Sequence, residues 1–225
     1  MNEPPPPPAN APSPTPTRTV HCADALQWLP ANPLASGCSL LTSLPDVVEF
    51  RHRDAERWRT WFLAAAELVV RSTPRCGCAV FYQTDVKRDG VWIDKSFLVQ
   101  QAAMAAGATL LWHKIVCRAP AGQATFARPG YAHLLGFGFE RRDAIEHATA
   151  DVLPELGAMS WPRAMGRSAL EFAVPWLRDH AAATTIVDPF CGVGTALAAA
   201  NHFGLHAVGV ETNSKRAAAA RELSW

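Results

Sequence analysis

Close to its C-terminal end the chain reads V-D-P-F-C-G-V-G-T, over Val187–Thr195. A short apolar strand (residues 184–187) runs into a glycine turn, the turn opens an alanine-rich helix (Ala196 to His202), and a second strand (His206 to Val210) ends in Glu211. Gly192 and Gly194 let the backbone turn tightly and approach a ligand closely. An acid about 20 positions beyond the glycines, at the tip of the next strand, can accept from both hydroxyls of a ribose. Such a stretch is half of a nucleoside-binding α/β site, so the other half must lie upstream. The bland reading of the same residues is an ordinary βαβ turn with no ligand.

A dinucleotide fingerprint wants a third glycine for helix–strand packing, but Leu197 stands there. A P-loop wants Gly-Lys-Ser/Thr, and no lysine follows Gly194. The string D-P-F-C-G-V-G-T resembles the cofactor-binding motif of S-adenosylmethionine (SAM) methyltransferases that act on nucleic acids. The resemblance implies a SAM site built from Asp188, Pro189, Phe190, Cys191, Gly192, Gly194 and Thr195, with Glu211 on the ribose.

At 225 residues one domain is the default, and 49% hydrophobic with 18% charged residues describes a soluble globular protein. A net charge of +1 gives no global electrostatic argument for nucleic acid. No apolar run reaches the ~18 residues of a membrane span. The first residues lack the apolar core of a secretory signal, so an intracellular protein is expected. Cys22, Cys38, Cys76, Cys78, Cys117 and Cys191 fall mostly in apolar strand-like runs, where cysteine acts as a small buried hydrophobe. Cys76-Gly-Cys78 is not a zinc spacing, and no metal is expected.

Residues 1–17, with a five-proline run, read as a disordered tail, and residues 18–225 as one domain. Strands are expected at Arg18 to Cys22, Cys38 to Ser43, Cys78 to Thr84, Thr109 to Arg118 and Ala132 to Phe139. Helices are expected at Asp54 to Arg71, where Trp58, Trp61, Phe62, Ala65, Leu68 and Val69 keep helical spacing, at Asp94 to Ala106, and over much of Pro162 to His180. The alternation implies a largely parallel sheet covered on both faces. The cofactor half ends the chain instead of beginning it, a circular permutation of the usual order.

A second segment, Leu40-Leu41-Thr42-Ser43-Leu44-Pro45-Asp46, puts a polar residue and a proline at the C-terminal tip of a buried strand, where open parallel sheets carry their active sites. It resembles the catalytic motif of amino-methyltransferases, commonly T-S-P-P-Y or D-P-P-Y. In that family the polar residue and the proline carbonyl hold the target amine, and the aromatic stacks on a flipped-out base. From here the likeness spans about His21 to Leu223 and is to the permuted, beta-type order of DNA amino-methyltransferases. His21-Cys22-Ala23-Asp24-Ala25 is similar to the family's G-D-x motif, which places Asp24 on the cofactor. Leu110-Leu111-Trp112-His113-Lys114 with Tyr131-Ala132-His133-Leu134-Leu135-Gly136-Phe137 resembles its late hairpin. The resemblance implies a Rossmann-like class I SAM methyltransferase fold with a single seven-stranded, mainly parallel sheet.

Leu44 replaces the first proline of the motif and Asp46 the aromatic. Losing the stacking platform costs roughly 1–3 kcal/mol of base binding unless Phe50, Tyr82, Trp92 or Phe126 replaces it. Asp46 reads either as a general base or hydrogen-bond acceptor, or as the cap of the following turn. The catalytic candidates are Ser43, Pro45, Asp46 and Asp85. The cluster Tyr82 to Lys95, at the same rim, suits a nucleotide grip or is a solvated turn. The loop from Lys114 to Arg142 combines Lys114, Arg118, Arg128, Arg141 and Arg142 with Phe126 and Tyr131 against Glu140, and reads as a phosphate and base surface or as an exposed loop. The substrate-binding candidates are Tyr82, Gln83, Lys87, Trp92, Lys114, Arg118 and Arg128. Residues 141–161 are too few for a DNA target-recognition domain, which favours an RNA base over DNA N4-cytosine or N6-adenine. The altered motif also fits a SAM-binding pseudoenzyme or partner subunit.

Overall fold

A computed structural model describes residues 15–50, 54–126, 128–139 and 148–225. Most of the Pro-rich tail, and Glu140, Arg141 and Arg142 of the basic loop, lie outside the described residues. At the end of the tail the Thr17 carbonyl accepts from Ala207 N at 2.8 Å and Thr17 N donates to His206 Nδ1 at 3.1 Å.

The elements follow the expected alternation. They run β1 (Arg18–Cys22), α1 (Ala25–Ala31), β2 (Cys38–Thr42), a 3-10 turn (Val47–Glu49), α2 (Ala55–Ser72) and β3 (Cys78–Gln83). Then come β4 (Val86–Arg88), β5 (Val91–Ile93), α3 (Lys95–Ala105), β6 (Thr109–Cys117), β7 (Tyr131–Gly138) and β8 (Val152–Leu153). The chain closes with α4 (Arg167–His180), β9 (Thr185–Asp188), α5 (Thr195–His202), β10 (His206–Glu211) and α6 (Ser214–Glu222). The helix expected from Pro162 begins only at Arg167, because Gly166 in extended backbone stops it from growing backwards. Helices α1 and α6 and the β4–β5 hairpin are additions to the expected set.

The main sheet has the order β1-β10-β9-β2-β3-β7-β6-β8. β1, β10, β9, β2 and β3 run parallel, and β7 pairs antiparallel with both β3 and β6. Seven substantial strands make the expected Rossmann-like sheet, and two-residue β8 adds an eighth at the edge beside β6. The last two strands of the chain insert between the first two, so the tip of β9 stands next to the tip of β2. That insertion is the structural form of the permuted order.

Two apolar layers flank the sheet. α2 and α3 bury Trp58, Phe62, Leu98 and Val99 against Phe81, Leu135 and Val187 on one face. α4, α5 and α6 bury Leu170, Leu177, Leu197 and Ala217 against Val80, Leu134 and Ile186 on the other. Asp54 and Asp94 cap α2 and α3, each accepting from first-turn backbone N–H groups at 2.9 to 3.1 Å. Gly136 is obligatory by packing, because a Cβ there would enter the Trp112 ring. Cys78 and Cys191 are buried as expected, but Cys22 and Cys76 are exposed, since they stand where β1 ends and before β3 begins.

Candidate active site

A cleft of about 370 Å³ opens at the C-terminal tips of β1, β10, β9 and β2. Its floor is the glycine turn. Gly192 takes φ 56° and has open space where a Cβ would stand, whereas Gly194 takes φ 89° with Ala220 2.8 Å from that point. Both conformations are left-handed and favour glycine. One glycine therefore leaves room for a ligand and the other admits a neighbouring helix.

Of the expected cofactor residues, Asp24, Asp188, Pro189, Phe190, Cys191, Gly192, Thr195 and Glu211 all line this cleft. Gly194 is the N-cap of α5, behind it. Glu211 Oε1 accepts from Asn213 N at 2.8 Å and from Thr212 Oγ1 at 3.3 Å. Asp24 caps α1 by accepting from Leu26 N at 2.9 Å, and Ala23 N donates to the Glu211 carbonyl at 3.2 Å, which holds both acids at neighbouring strand tips. Asp188 is buried and accepts from Thr42 Oγ1 at 2.7 Å and Phe190 N at 3.1 Å. Burial pushes its carboxyl up to about 7, against those two hydrogen bonds. Burial likewise pushes the Cys191 thiol well above its ordinary value, and its sulfur packs under Gly209.

Residues that motif spacing did not single out close the cleft. Trp61 lies edge-on to Phe190 and tilted against Phe50, making one apolar wall. Arg216 sits 5.1 Å over the Trp161 ring, and the Ser160 and Thr195 hydroxyls lie 2.6 Å apart. The segment before α4 is thereby pinned across the glycine turn.

A second, smaller cavity of about 60 Å³ adjoins the first, sharing Ser43, Leu44, Glu49, Arg163 and Ala164. The Arg163–Glu49 ion pair, 3.1 Å, lies on that shared boundary. Asp46, Val48, Tyr82, Thr84, Lys95, Arg118 and Arg128 complete the smaller cavity. Four of its residues are cationic (Lys95, Arg118, Arg128, Arg163) and two anionic (Asp46, Glu49). Local positive charge thus exists within a nearly neutral chain. Pro45 lies on the side of the larger cleft, its carbonyl accepting from Trp58 Nε1 at 3.1 Å. Burial raises the Tyr82 phenol above its ordinary value.

The other expected substrate residues do not reach this cavity. Lys114 is buried, donating to Asp151 Oδ1 at 3.0 Å and the Thr149 carbonyl at 3.1 Å, so it ties β6 to the segment before β8. Gln83 is enclosed at the end of β3. Lys87 lies over the Trp92 ring on the β4–β5 hairpin, which faces α2 and α3. Phe126 is 97% exposed in the loop between β6 and β7.

Asp85 belongs to a separate knot. It is buried, and accepts from His133 Nε2 at 3.0 Å, Trp92 Nε1 at 3.1 Å and Lys95 N at 2.8 Å. Burial alone would raise its carboxyl, but these donors outweigh that and hold it below the usual carboxylate range. His133 Nδ1 in turn lies 3.0 Å from His113 Nε2. Burial and the neighbouring His133 lower the His113 imidazole. Asp85, Asp94 and His133 place ligand-type atoms within 4.8 Å of one another, but the Asp85 oxygens and Asp94 Oδ1 already serve the hairpin and the α3 cap.

No protein-family model matches the sequence, and no curated protein matches it. Solved structures do resemble the fold. A putative DNA modification methylase from Thermus thermophilus, complexed with SAM, aligns at TM-score 0.69 and 20% identity over 92% of each chain. PvuII DNA methyltransferase, cytosine-N4-specific, aligns at TM-score 0.72 and 17% identity, over 93% of this chain and 87% of that one. M1.HpyAVI in its SAM complex aligns at TM-score 0.61 and 12% identity, over 92% of this chain and 98% of that one. The chain therefore has the Rossmann-like fold of these methyltransferases.

Proposed function

We propose that the protein is a SAM-dependent methyltransferase acting on a base amino group in DNA. The observation that carries this reading is the junction of the two cavities. A cleft with an acid at the β10 tip and open space over Gly192 shares Ser43 and Leu44 with a cation-rich pocket. The residues suit SAM. The second Glu211 oxygen is available for ribose hydroxyls, the Phe50–Trp61–Phe190 wall suits adenine, and Asp24 stands across from Glu211.

The sequence alone ranks RNA first, because residues 141–161 leave no room for a recognition domain. The Thermus protein, described as a DNA modification methylase, is covered over 92% of its length by this chain, so that brevity does not argue against DNA. The structural neighbours support DNA and give the RNA reading no support.

When bound, SAM supplies an electrophilic methyl on a sulfonium. The protein's work is positioning. Ser43 and Leu44 line both cavities, where an acceptor amine can meet the methyl donor. The new N–C bond takes the nitrogen lone pair, the S–C electron pair stays on sulfur, and one amine proton is released. Asp46 Oδ1, buried and without a hydrogen-bond partner among the described residues, is placed to accept from that N–H. Arg118, Arg128 and Arg163 surround the mouth, where they meet phosphates.

The test is transfer from methyl-labelled SAM to polymerase-amplified DNA or to transcribed RNA, both free of prior methylation. Label in DNA, lost in Ser43→Ala, supports the reading. Label in RNA alone restores the RNA reading, and SAM binding with no transfer to either favours the pseudoenzyme.

A further inference from the structure

We infer that Lys95 and Asp46 together read the amidine edge of the acceptor base, the ring nitrogen and exocyclic amine shared by cytosine and adenine. This rests on the reading above that the acceptor is a base amine. Lys95 is the first residue of α3 and is 4% exposed. Its spacing to Leu98, Val99 and Ala102 puts it on the buried stripe of that helix, a position a lysine does not occupy without a partner. Its Nζ lies 3.6 Å from Asp46 Oδ2, and both residues line the acceptor pocket.

The distance matters. At 3.6 Å the pair is beyond the usual N–H···O hydrogen-bond range, so each group keeps capacity for a further partner. Asp46 Oδ1 is buried and makes no full hydrogen bond among the described residues, while Asp46 also caps the 3-10 turn, its carboxylate facing Glu49 N. One wall of the pocket therefore presents a cationic donor beside an anionic acceptor. Cytosine and adenine present the complement: a ring nitrogen that accepts, adjacent to an amine that donates. Uracil and thymine present a ring N–H beside a carbonyl, which opposes Lys95 with a donor and Asp46 with an acceptor. A cavity of about 60 Å³ admits the edge of a base and not its whole ring. Edge recognition also explains how aspartate can stand where relatives of the motif have a stacking aromatic. The position gives up base stacking and gains discrimination.

Other charges face the pair. Burial pushes the Lys95 ammonium below its ordinary value; Asp46, then Asp85 just beyond β3 and Glu49 from the 3-10 turn, act against that and favour its charge, while Arg118, Arg128 and Arg163 line the remaining walls. The Asp85 carboxylate is already engaged by His133, Trp92 and Lys95 N, which leaves Asp46 as the close partner of the ammonium.

The experiment measures binding of the protein, saturated with S-adenosylhomocysteine, to thymine-run oligonucleotides carrying one central base. That base is cytosine, adenine, 3-deazacytosine, 1-deazaadenine or uracil. The deaza bases keep the amine and lose only the ring acceptor. Wild type is expected to bind the cytosine or the adenine oligonucleotide at least about tenfold tighter than its deaza analogue, the effect of unpairing a buried charged donor. Lys95→Met is expected to lose that preference while keeping its affinity for S-adenosylhomocysteine. A wild type indifferent to the deaza substitution, or a Lys95→Met that keeps the preference, overturns the inference. The deaza comparison on wild type decides the matter even if the variant fails to fold. Preference without label transfer would retain edge reading and remove the proposed activity. Transfer without preference would do the reverse.

Discussion

The Thr42 hydroxyl donates to Asp188 Oδ1 at 2.7 Å across 146 residues of sequence, and both groups are buried. This bond joins the tip of β2, which leads to Ser43, to the tip of β9, which leads to the glycine turn. Beyond the β2–β9 ladder, this bond ties the two halves of the site at their tips, through a buried acid that also orders Phe190.

The Asp188 carboxyl is raised to about 7 by burial. A raised acid holds its proton in the folded state when the unfolded chain has released it. Stability therefore falls as pH rises from about 4 to about 7 and levels off above that. Asp188→Asn keeps an acceptor for Thr42 and has no proton to lose. Thermal unfolding of the ligand-free variant across this range should show a smaller decline in Tm with pH than wild type. Equal slopes would assign the pH dependence to other groups.

The two turn glycines should fail differently. Gly194→Ala meets Ala220 and sits in left-handed backbone, a combined cost of about 2–5 kcal/mol. Gly192→Ala meets no protein atom and costs about 1–2 kcal/mol of backbone strain. Denaturant unfolding should rank Gly194→Ala as the more destabilised. Titration calorimetry should show Gly192→Ala to be the one that folds and has lost SAM affinity.

Glu211→Ala should leave Tm within a few degrees of wild type, because among the described residues the side chain accepts only from Thr212 and Asn213. Its Kd for SAM should rise at least about tenfold, the loss of charge-assisted bonds to hydroxyls. An unchanged Kd would move the ribose elsewhere in the cleft.

Asp85→Asn separates a structural from a catalytic role for that acid. The knot with His133, Trp92 and Lys95 N predicts a loss of about 2–4 kcal/mol and faster proteolysis within residues 86–93, with SAM affinity retained. Full stability with abolished transfer would return Asp85 to the catalytic group.

Much of the frame was legible in the sequence because it rests on local signals. Apolar runs, the caps Asp54 and Asp94, and the glycines each dictate nearby backbone. Most residues proposed to hold SAM were brought to one cleft, since they lie at strand tips fixed by the parallel sheet. The acceptor side was less so. Lys114 and Asp85 look like surface groups in a linear reading but find partners from distant segments, Asp151 and His133. Lys95 ended the cluster read as a nucleotide grip or a solvated turn, but its burial was hidden for the opposite reason. Beside a helix cap it passes for a solvated residue, and only its place on the apolar stripe of α3 betrays that it is buried. Arg163 and Trp161 come from an irregular segment with no periodicity to place them.

The most direct measurement is nucleoside mass spectrometry on amplified DNA after incubation with the protein and methyl-labelled SAM. Label on N4 of deoxycytidine or N6 of deoxyadenosine, absent with Ser43→Ala, is the predicted result. Label on a ring carbon, or only in RNA, would contradict a DNA amino-methyltransferase.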